Sequence, residues 1–163
     1  MTGVTVKFID KDNLQVAIRR ASAPPNSRIL SAVASRMRGM QMQHFKEQKD
    51  SEGKVWAPLK PGTIKRRRMG GRGGVKILQD TGRMRASVDR YSDRDTAITG
   101  TNTIYAATHQ FGREGRTYSY YFGEWGGADI PAREFIYLTE GEQKTLIEFV
   151  SKEIVGPLMK RKN

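Results

Sequence analysis

Cysteine is absent from the 163 residues. That excludes disulfide stapling and thiolate metal sites, and it predicts no redox role. Histidine is nearly absent: His44 and His109 are the only two. No His-Glu-x-x-His pairing exists, and a zinc site would need carboxylate help. Apolar runs are short, and none approaches the roughly 20 residues of a membrane span. Met1 to Asp10 has neither the charged head nor the apolar stretch of a signal peptide, so the expectation is a soluble protein made in a cytoplasm. Phosphate-cradling loops are also missing. Lys76 is followed by Ile77 and directly preceded by Val75 instead of glycine, and no Gly-x-Gly-x-x-Gly occurs.

What the sequence has in excess is positive charge, unevenly placed. The net charge is +12. Residues 54–90 hold eleven basic and two acidic side chains, whereas residues 91–163 are nearly balanced, with nine basic and ten acidic. The densest stretch runs Lys65-Arg66-Arg67-Arg68, then Gly70-Gly71-Arg72-Gly73-Gly74, then Lys76. Clustered glycines hold helix or strand only at a cost, and like charges repel. Residues 60–76 are therefore predicted to form a long basic loop, flexible in the free chain. The charge run reads either as a docking surface for an electronegative partner or as a solvated loop.

Along the chain, Val4, Val6 and Phe8, then Leu14, Val16 and Ile18, alternate with polar residues and predict an N-terminal hairpin over 1–23. Pro24-Pro25 breaks it. Ile29, Leu30, Val33, Met37 and Met40 recur at helical spacing and predict a helix over about 27–48, with its methionines in the core. Trp56 anchors the chain beyond Gly53. Asp80 or Thr81 caps a predicted short helix containing Met84 and Val88. Asp93 and Asp95 read as turn residues. Ala97, Ile98 and Thr99 form a strand that turns at Gly100, and Ile104-Tyr105-Ala106 continues toward His109.

Tyr118, Tyr120, Tyr121 and Trp125 crowd a Gly-rich stretch that predicts a protruding aromatic hairpin with its tip near Gly123. It serves either an interface or its own sheet. Thr139 and Glu142 form a capping box. A second helix with Leu146, Phe149, Val150 and Ile154 on one side follows, ended by Gly156-Pro157 and a basic tail over 156–163. The sum is one α+β domain over 1–163: an antiparallel sheet packed against two main helices.

Chemistry-bearing constellations are missing. No nucleophile with a positioned base and no paired carboxylates are marked by the sequence. His109 reads as structural, and Glu140 and Glu142 as helix-capping residues. Nothing supports an enzyme or a cofactor.

Four short segments carry a resemblance. They are Gly53-x-x-Trp56-x-Pro58-Leu59-x-x-x-Thr63; Ile77-Leu78 leading to Thr81-Gly82-Arg83-Met84-x-x-Ser87; Tyr105-Ala106-x-x-His109-Gln110-Phe111-Gly112; and Ile130-Pro131-Ala132-Arg133-x-Phe135. In this order the chain resembles the phage virion morphogenesis family, the tail-completion or neck proteins of long-tailed phages. Glu134 stands where that family usually has proline.

The resemblance implies a non-catalytic structural subunit, made in the host cytoplasm and built into the virion neck. It implies a ring, commonly a hexamer, between the head connector and the tail-terminator or tail-tube proteins. DNA passing through the channel is a further possible contact, and no membrane or small-molecule substrate is implied. The candidate partner or DNA interface is Lys65, Arg66, Arg67, Arg68, Arg72, Lys76, Tyr118, Tyr120, Tyr121, Trp125 and Arg133. Arg133 is expected to pair with a carboxylate or with backbone carbonyls across an interface. Trp56, Pro58, Gly82, Tyr105, Phe111, Gly112, Pro131 and Phe135 are expected to serve the fold, with Trp56 and Phe111 buried and Gly82 and Gly112 in turns closed to side chains. The competing reading is a nucleic-acid-binding module acting through residues 60–90, although no known nucleic-acid-binding pattern is present.

Overall fold

The computed structural model describes residues 4–7, 27–70, 75–93, 95–115, 117–120, 123–126 and 129–160. The order of elements is β1 (Val4–Lys7), α1 (Ser27–Glu47), α2 (Pro61–Met69), α3 (Arg83–Ala86), β2 (Val88–Ser92), β3 (Ala97–Thr101), α4 (Ala106–Phe111), β4 (Thr117–Tyr120), β5 (Gly123–Gly126) and α5 (Glu140–Lys160). The second half of the expected N-terminal hairpin lies outside the described residues.

The fold is α+β. Strand β3 is central, with β1 and β2 antiparallel on its two sides. Val4 and Val88 both stand opposite Thr101. The β2–β3 turn is set by Asp93, whose Oδ1 accepts the amides of Asp95 (2.9 Å) and Thr96 (2.8 Å), a local bond that aspartate offers at turns. The strand passes through Gly100 to Thr101 instead of turning there. β4 and β5 form a separate two-stranded antiparallel sheet.

Helix α1 lies across β2 and β3, with α5 beside it. Of its predicted apolar stripe, Leu30, Val33 and Met37 are buried and Ile29 and Met40 partly so, and Ala34 and Phe45 extend the buried face. With Ala97 of β3 and Leu146, Val150 and Ile154 of α5, the N-terminal half of that stripe makes one core cluster. Met37 is wholly buried there. The second cluster gathers Phe45, Trp56, Leu78, Met84, Val88 and Phe135. The capping box of α5 is closed in both directions: the Glu142 amide donates to Thr139 Oγ1 (3.3 Å), and the Thr139 amide donates to Glu142 Oε2 (2.8 Å).

Several expectations are corrected. Residues 61–69 are a helix, not the first part of a long loop. Pro61 occupies its first turn, where a missing amide hydrogen costs nothing. The Thr63 and Ile64 amides donate to the Lys60 carbonyl, and the Gly70 amide closes the end on Arg66. Lys and Arg are good helix formers, and successive residues fan around a helix axis, so Lys65 to Arg68 do not stack charge on charge. The glycines begin only at Gly70, and residues 71–74 lie outside the described set.

Helix α3 is capped by Gly82 in the left-handed region (φ 73°), and Val88 begins β2 instead of continuing that helix. Helix α4 occupies residues where the sequence named no helix. Helix α5 runs through Gly156-Pro157 to Lys160, beyond the expected stop. Among the described residues no helix is long and apolar enough to cross a membrane.

Candidate functional site

Residues 130–137 form an extended strap that belongs to no sheet. Backbone groups buried in this way need partners, and side chains supply them. Gln110 Oε1 accepts the amides of Phe135 (3.1 Å) and Ile136 (3.2 Å), while its Nε2 donates to the Ile136 carbonyl (3.0 Å). Gln41 does the same for Tyr137, accepting its amide at 3.2 Å and donating to its carbonyl at 2.8 Å. Trp56 Nε1 donates to the Glu134 carbonyl at 2.8 Å. The Glu134 carboxylate accepts the amide and hydroxyl of Ser51, so side-chain bonds tether the turn where proline is usual.

Arg133 ties the strap to the first motif. Its Nε donates to the Ala57 carbonyl (2.9 Å) and its Nη2 to that of Pro58 (3.3 Å). The predicted pairing with backbone carbonyls is therefore made within the chain. The third motif meets the strap at Gly112, which has φ 76°. A Cβ there would sit 2.9 Å from the Ala132 nitrogen and 3.1 Å from the Ile130 oxygen. The neighbouring Arg113 and Ile130 exchange two backbone bonds of 2.8 Å.

These contacts leave a groove of about 430 Å³ to which all four motifs contribute. Leu59 and Thr63 come from the first and Gly82, Arg83 and Met84 from the second. Tyr105 and His109 come from the third, and Ile130, Pro131 and Arg133 from the fourth. Leu59, Leu78, Met84, Ile130 and Pro131 supply its apolar lining. The same lining brings together Lys60, Arg66, Arg67, Arg83 and Arg133 against two carboxylates, Asp80 and Asp129. Arg67 is already engaged: its Nη1 donates to the Lys76 carbonyl (3.0 Å), and its Nε lies 3.4 Å from Asp80. Leu78, in the wall, holds a left-handed backbone (φ 58°), a conformation that is strained for a bulky residue.

Burial, and then the Arg133 guanidinium, lower the pKa of His109 below the ordinary histidine value, so it is neutral at pH 7. Its Nδ1 is buried without a hydrogen-bond partner, and the ring meets Tyr105 edge-on at 6.3 Å. Among the described residues no carboxylate orients it and no hydroxyl is bonded to it, which is not the arrangement of a general base. Among the described residues no group of three or more His, Cys, Asp or Glu side chains is placed to hold a metal ion. Cations beside apolar side chains suit recognition of carboxylates, phosphates and aromatic rings.

The groove takes Arg66, Arg67 and Arg133 from the predicted interface set. Lys65 and Arg68 are exposed elsewhere on α2, and Lys76 is exposed beyond it. Arg72 and Tyr121 lie outside the described residues. Tyr118 stands opposite Trp125, and Tyr120 opposite Gly123, in the β4–β5 ladder. Among the structural set, Trp56 and Phe135 are buried and Gly82 has positive φ, as expected. Phe111 is corrected: it is 72% exposed, because it falls on the outer side of the short helix α4 while Ala106 and Gln110 face inward.

Sequence reasoning missed Lys60 and Arg83 as groove residues, and the two glutamines as clamps. Gln41 carried a signal: it continues the buried stripe of Val33 and Met37 at a spacing of four, where a polar residue must have a partner.

The model of the phage virion morphogenesis family matches residues 10–154. The chain belongs to the phage virion morphogenesis family. Within it, the chain is similar to Mu-like prophage FluMu G protein 2 of Haemophilus influenzae (strain Rd), with 37% identity over 71 residues. That match spans 44% of this chain and 46% of the relative, less than half of either. No solved structure matches the chain. For this phage virion morphogenesis protein, the groove is the place where the recognised motif segments meet.

Proposed function

We propose that this phage virion morphogenesis protein is a neck subunit that completes the tail and joins it to the head, acting as one copy in a ring, commonly a hexamer. It works by shape and contact and carries out no reaction. The observation that carries this reading is the groove itself: four separated motifs converge on a recess lined by cations and apolar side chains, and among the described residues no nucleophile–base pair accompanies them. Such a recess suits recognition. A ring subunit needs two different complementary faces, a heterologous contact that closes by rotation. The head connector on one side and the tail-terminator or tail-tube proteins on the other are its partners in the virion.

Electron microscopy of lysates from a host producing the phage without this protein tests the proposal. Filled heads beside separate, unjoined tails are the expected result, and complete infectious particles overturn it. The second reading, a nucleic-acid module over 60–90, is favoured by one observation: Lys65, Arg66 and Arg68 are exposed on α2. Met84 and Val88 in the same range are core residues, which confines that reading to α2 and its flanks. Sequence-preferring, nanomolar DNA binding with a steep inverse salt dependence would replace the neck reading.

A further inference from the structure

We propose that the groove, together with a recess contiguous with it, seats an extended acidic segment of a partner protein, one that brings carboxylates and at least one apolar side chain. This rests on the neck reading and names the chemistry by which the subunit meets a head-connector or tail protein.

The charge of the groove is not balanced within the chain. Both of its carboxylates are engaged: Asp80 lies 3.4 Å from Arg67 Nε, and Asp129 Oδ1 accepts the Gly115 amide at 2.5 Å. Arg133 is turned to the Ala57 and Pro58 carbonyls, and Arg67 also to that of Lys76. Lys60, Arg66 and Arg83 remain. They are exposed at the groove and, among the described residues, paired with no carboxylate. Exposed cations at a recess attract carboxylates, and three of them suit an acidic stretch better than a single acid.

The groove also extends over the strap. A second recess shares Lys60, Asp129, Ile130 and Pro131 with it and adds Phe111 and Ala132. The two together form a track, which suits an extended chain. Apolar side chains recur along it: Leu59 and Met84 in the groove, Ile130 and Pro131 where the recesses meet, and Phe111 beyond. Phe111 is 72% exposed and Tyr105 42%, while Ala106 and Gln110 of the same motif are buried. Aromatic side chains are the usual anchors of a protein interface, and the track gives Phe111 a role that the core does not.

Two other occupants fit less well. A second copy of this chain arrives with its own net charge of +12, which opposes its approach to a cationic surface. Duplex DNA offers phosphates to the three cations and nothing to the apolar side chains between them. Lys65 and Arg68, which a duplex along α2 would use, lie outside the groove.

The test places a photoreactive aromatic on the track. Phe111→p-benzoylphenylalanine and Tyr105→p-benzoylphenylalanine each exchange one aromatic for another. Each full-length variant is supplied, together with wild-type protein, to a host infected by phage lacking it. Particles are irradiated and digested, and linked peptides are identified by mass spectrometry. Both positions are expected to link to one segment of a head-connector or tail protein, net acidic and with an apolar residue beside its carboxylates. Linkage to a second copy of this chain, to DNA, to two unrelated segments or to a segment without net negative charge overturns the proposal. Complete particles that contain the variants and show no linkage also overturn it and leave the neck reading standing. Complete particles made without the protein remove the neck reading, and the proposal with it.

Arg83→Glu and Phe111→Ala give an independent readout. Each is expected to lower the yield of complete particles at least tenfold at an unchanged urea midpoint. Wild-type yield from either overturns the proposal. The linked segment, made as a labelled synthetic peptide, is expected to bind the isolated chain more weakly as salt rises, and at least tenfold more weakly to Arg83→Glu. Equal affinity for wild type and Arg83→Glu overturns the assigned contact.

Discussion

Replacing Gly112 by alanine isolates the contact between the third motif and the strap. The residue has φ 76° and ψ 175°, a region essentially restricted to glycine, and holding an alanine there costs about 1–3 kcal/mol. The new Cβ would lie 2.9 Å from the Ala132 nitrogen and 3.1 Å from the Ile130 oxygen. Both are backbone atoms of the strap, which Arg133 and Gln110 hold in place, so neither neighbour yields by a rotamer change. Relief requires the strap to move and to loosen the two Arg113–Ile130 bonds, each worth about 0.5–1.5 kcal/mol net. The combined loss is about 2–6 kcal/mol, a large share of an ordinary domain stability. Urea denaturation measures it as a lower midpoint at unchanged slope.

The control is Gly39→Ala. Gly39 lies inside α1 with nothing within 4 Å of its added Cβ, and alanine there is expected to stabilise by up to about 1 kcal/mol. If Gly112→Ala fell within about 0.5 kcal/mol of wild type, the range of ordinary surface changes, the close approach of strap and α4 would be refuted.

Three further outcomes follow from the same contacts. Gln110→Ala leaves the amides of Phe135 and Ile136 and the carbonyl of Ile136 without their partner, and is expected to cost about 3 kcal/mol or more by urea denaturation, since each orphaned buried group costs about 1–3 kcal/mol. Thr139→Ala opens the α5 capping box and is expected to cost about 1 kcal/mol, with Thr139→Ser close to wild type. His109 has a lowered pKa in the folded chain, so below its ordinary value of about 6.5 the unfolded chain binds the extra proton first and stability falls with pH. Denaturation midpoints across that range are expected to show the fall in wild type and less of it in His109→Gln.

Elements with a long apolar period and a local stop signal could be read from the sequence. Helix α1 shows its buried face at Leu30, Val33 and Met37. Helix α5 shows its start at Thr139 and Glu142, because the cap bonds join residues three apart. Helix α2 was hidden for the opposite reason: it buries no residue, so it has no periodic stripe, and only Pro61 marks its start. Helix α4 has six residues, too short for a period to show, and Phe111 was misplaced with it. The strap has no period either. Its order comes from Gln41 and Gln110, which are 96 and 26 residues from the carbonyls they hold. The groove was legible only as four separate segments, since convergence is a property of the packed chain.

The division of labour within the groove separates stability from recognition. Arg133 is 7% exposed, and two of its guanidinium nitrogens already bond carbonyls of the first motif. Its loss therefore collapses the wall as well as removing a charge. Gly112 and Gln110 likewise act through the backbone of the strap. Lys60, Arg66 and Arg83 are exposed, so substituting them leaves the walls intact and changes only what the groove attracts. A protein built this way fixes the shape of its recess with the buried members of its motifs and, on the proposed neck reading, sets affinity with exposed neighbours. The two classes should come apart under measurement: Arg133→Ala lowers the denaturation midpoint and impairs assembly, whereas Arg83→Glu impairs assembly at an unchanged midpoint. If Arg83→Glu lowered stability as much as Arg133→Ala does, the rim would be part of the wall and the separation would not hold.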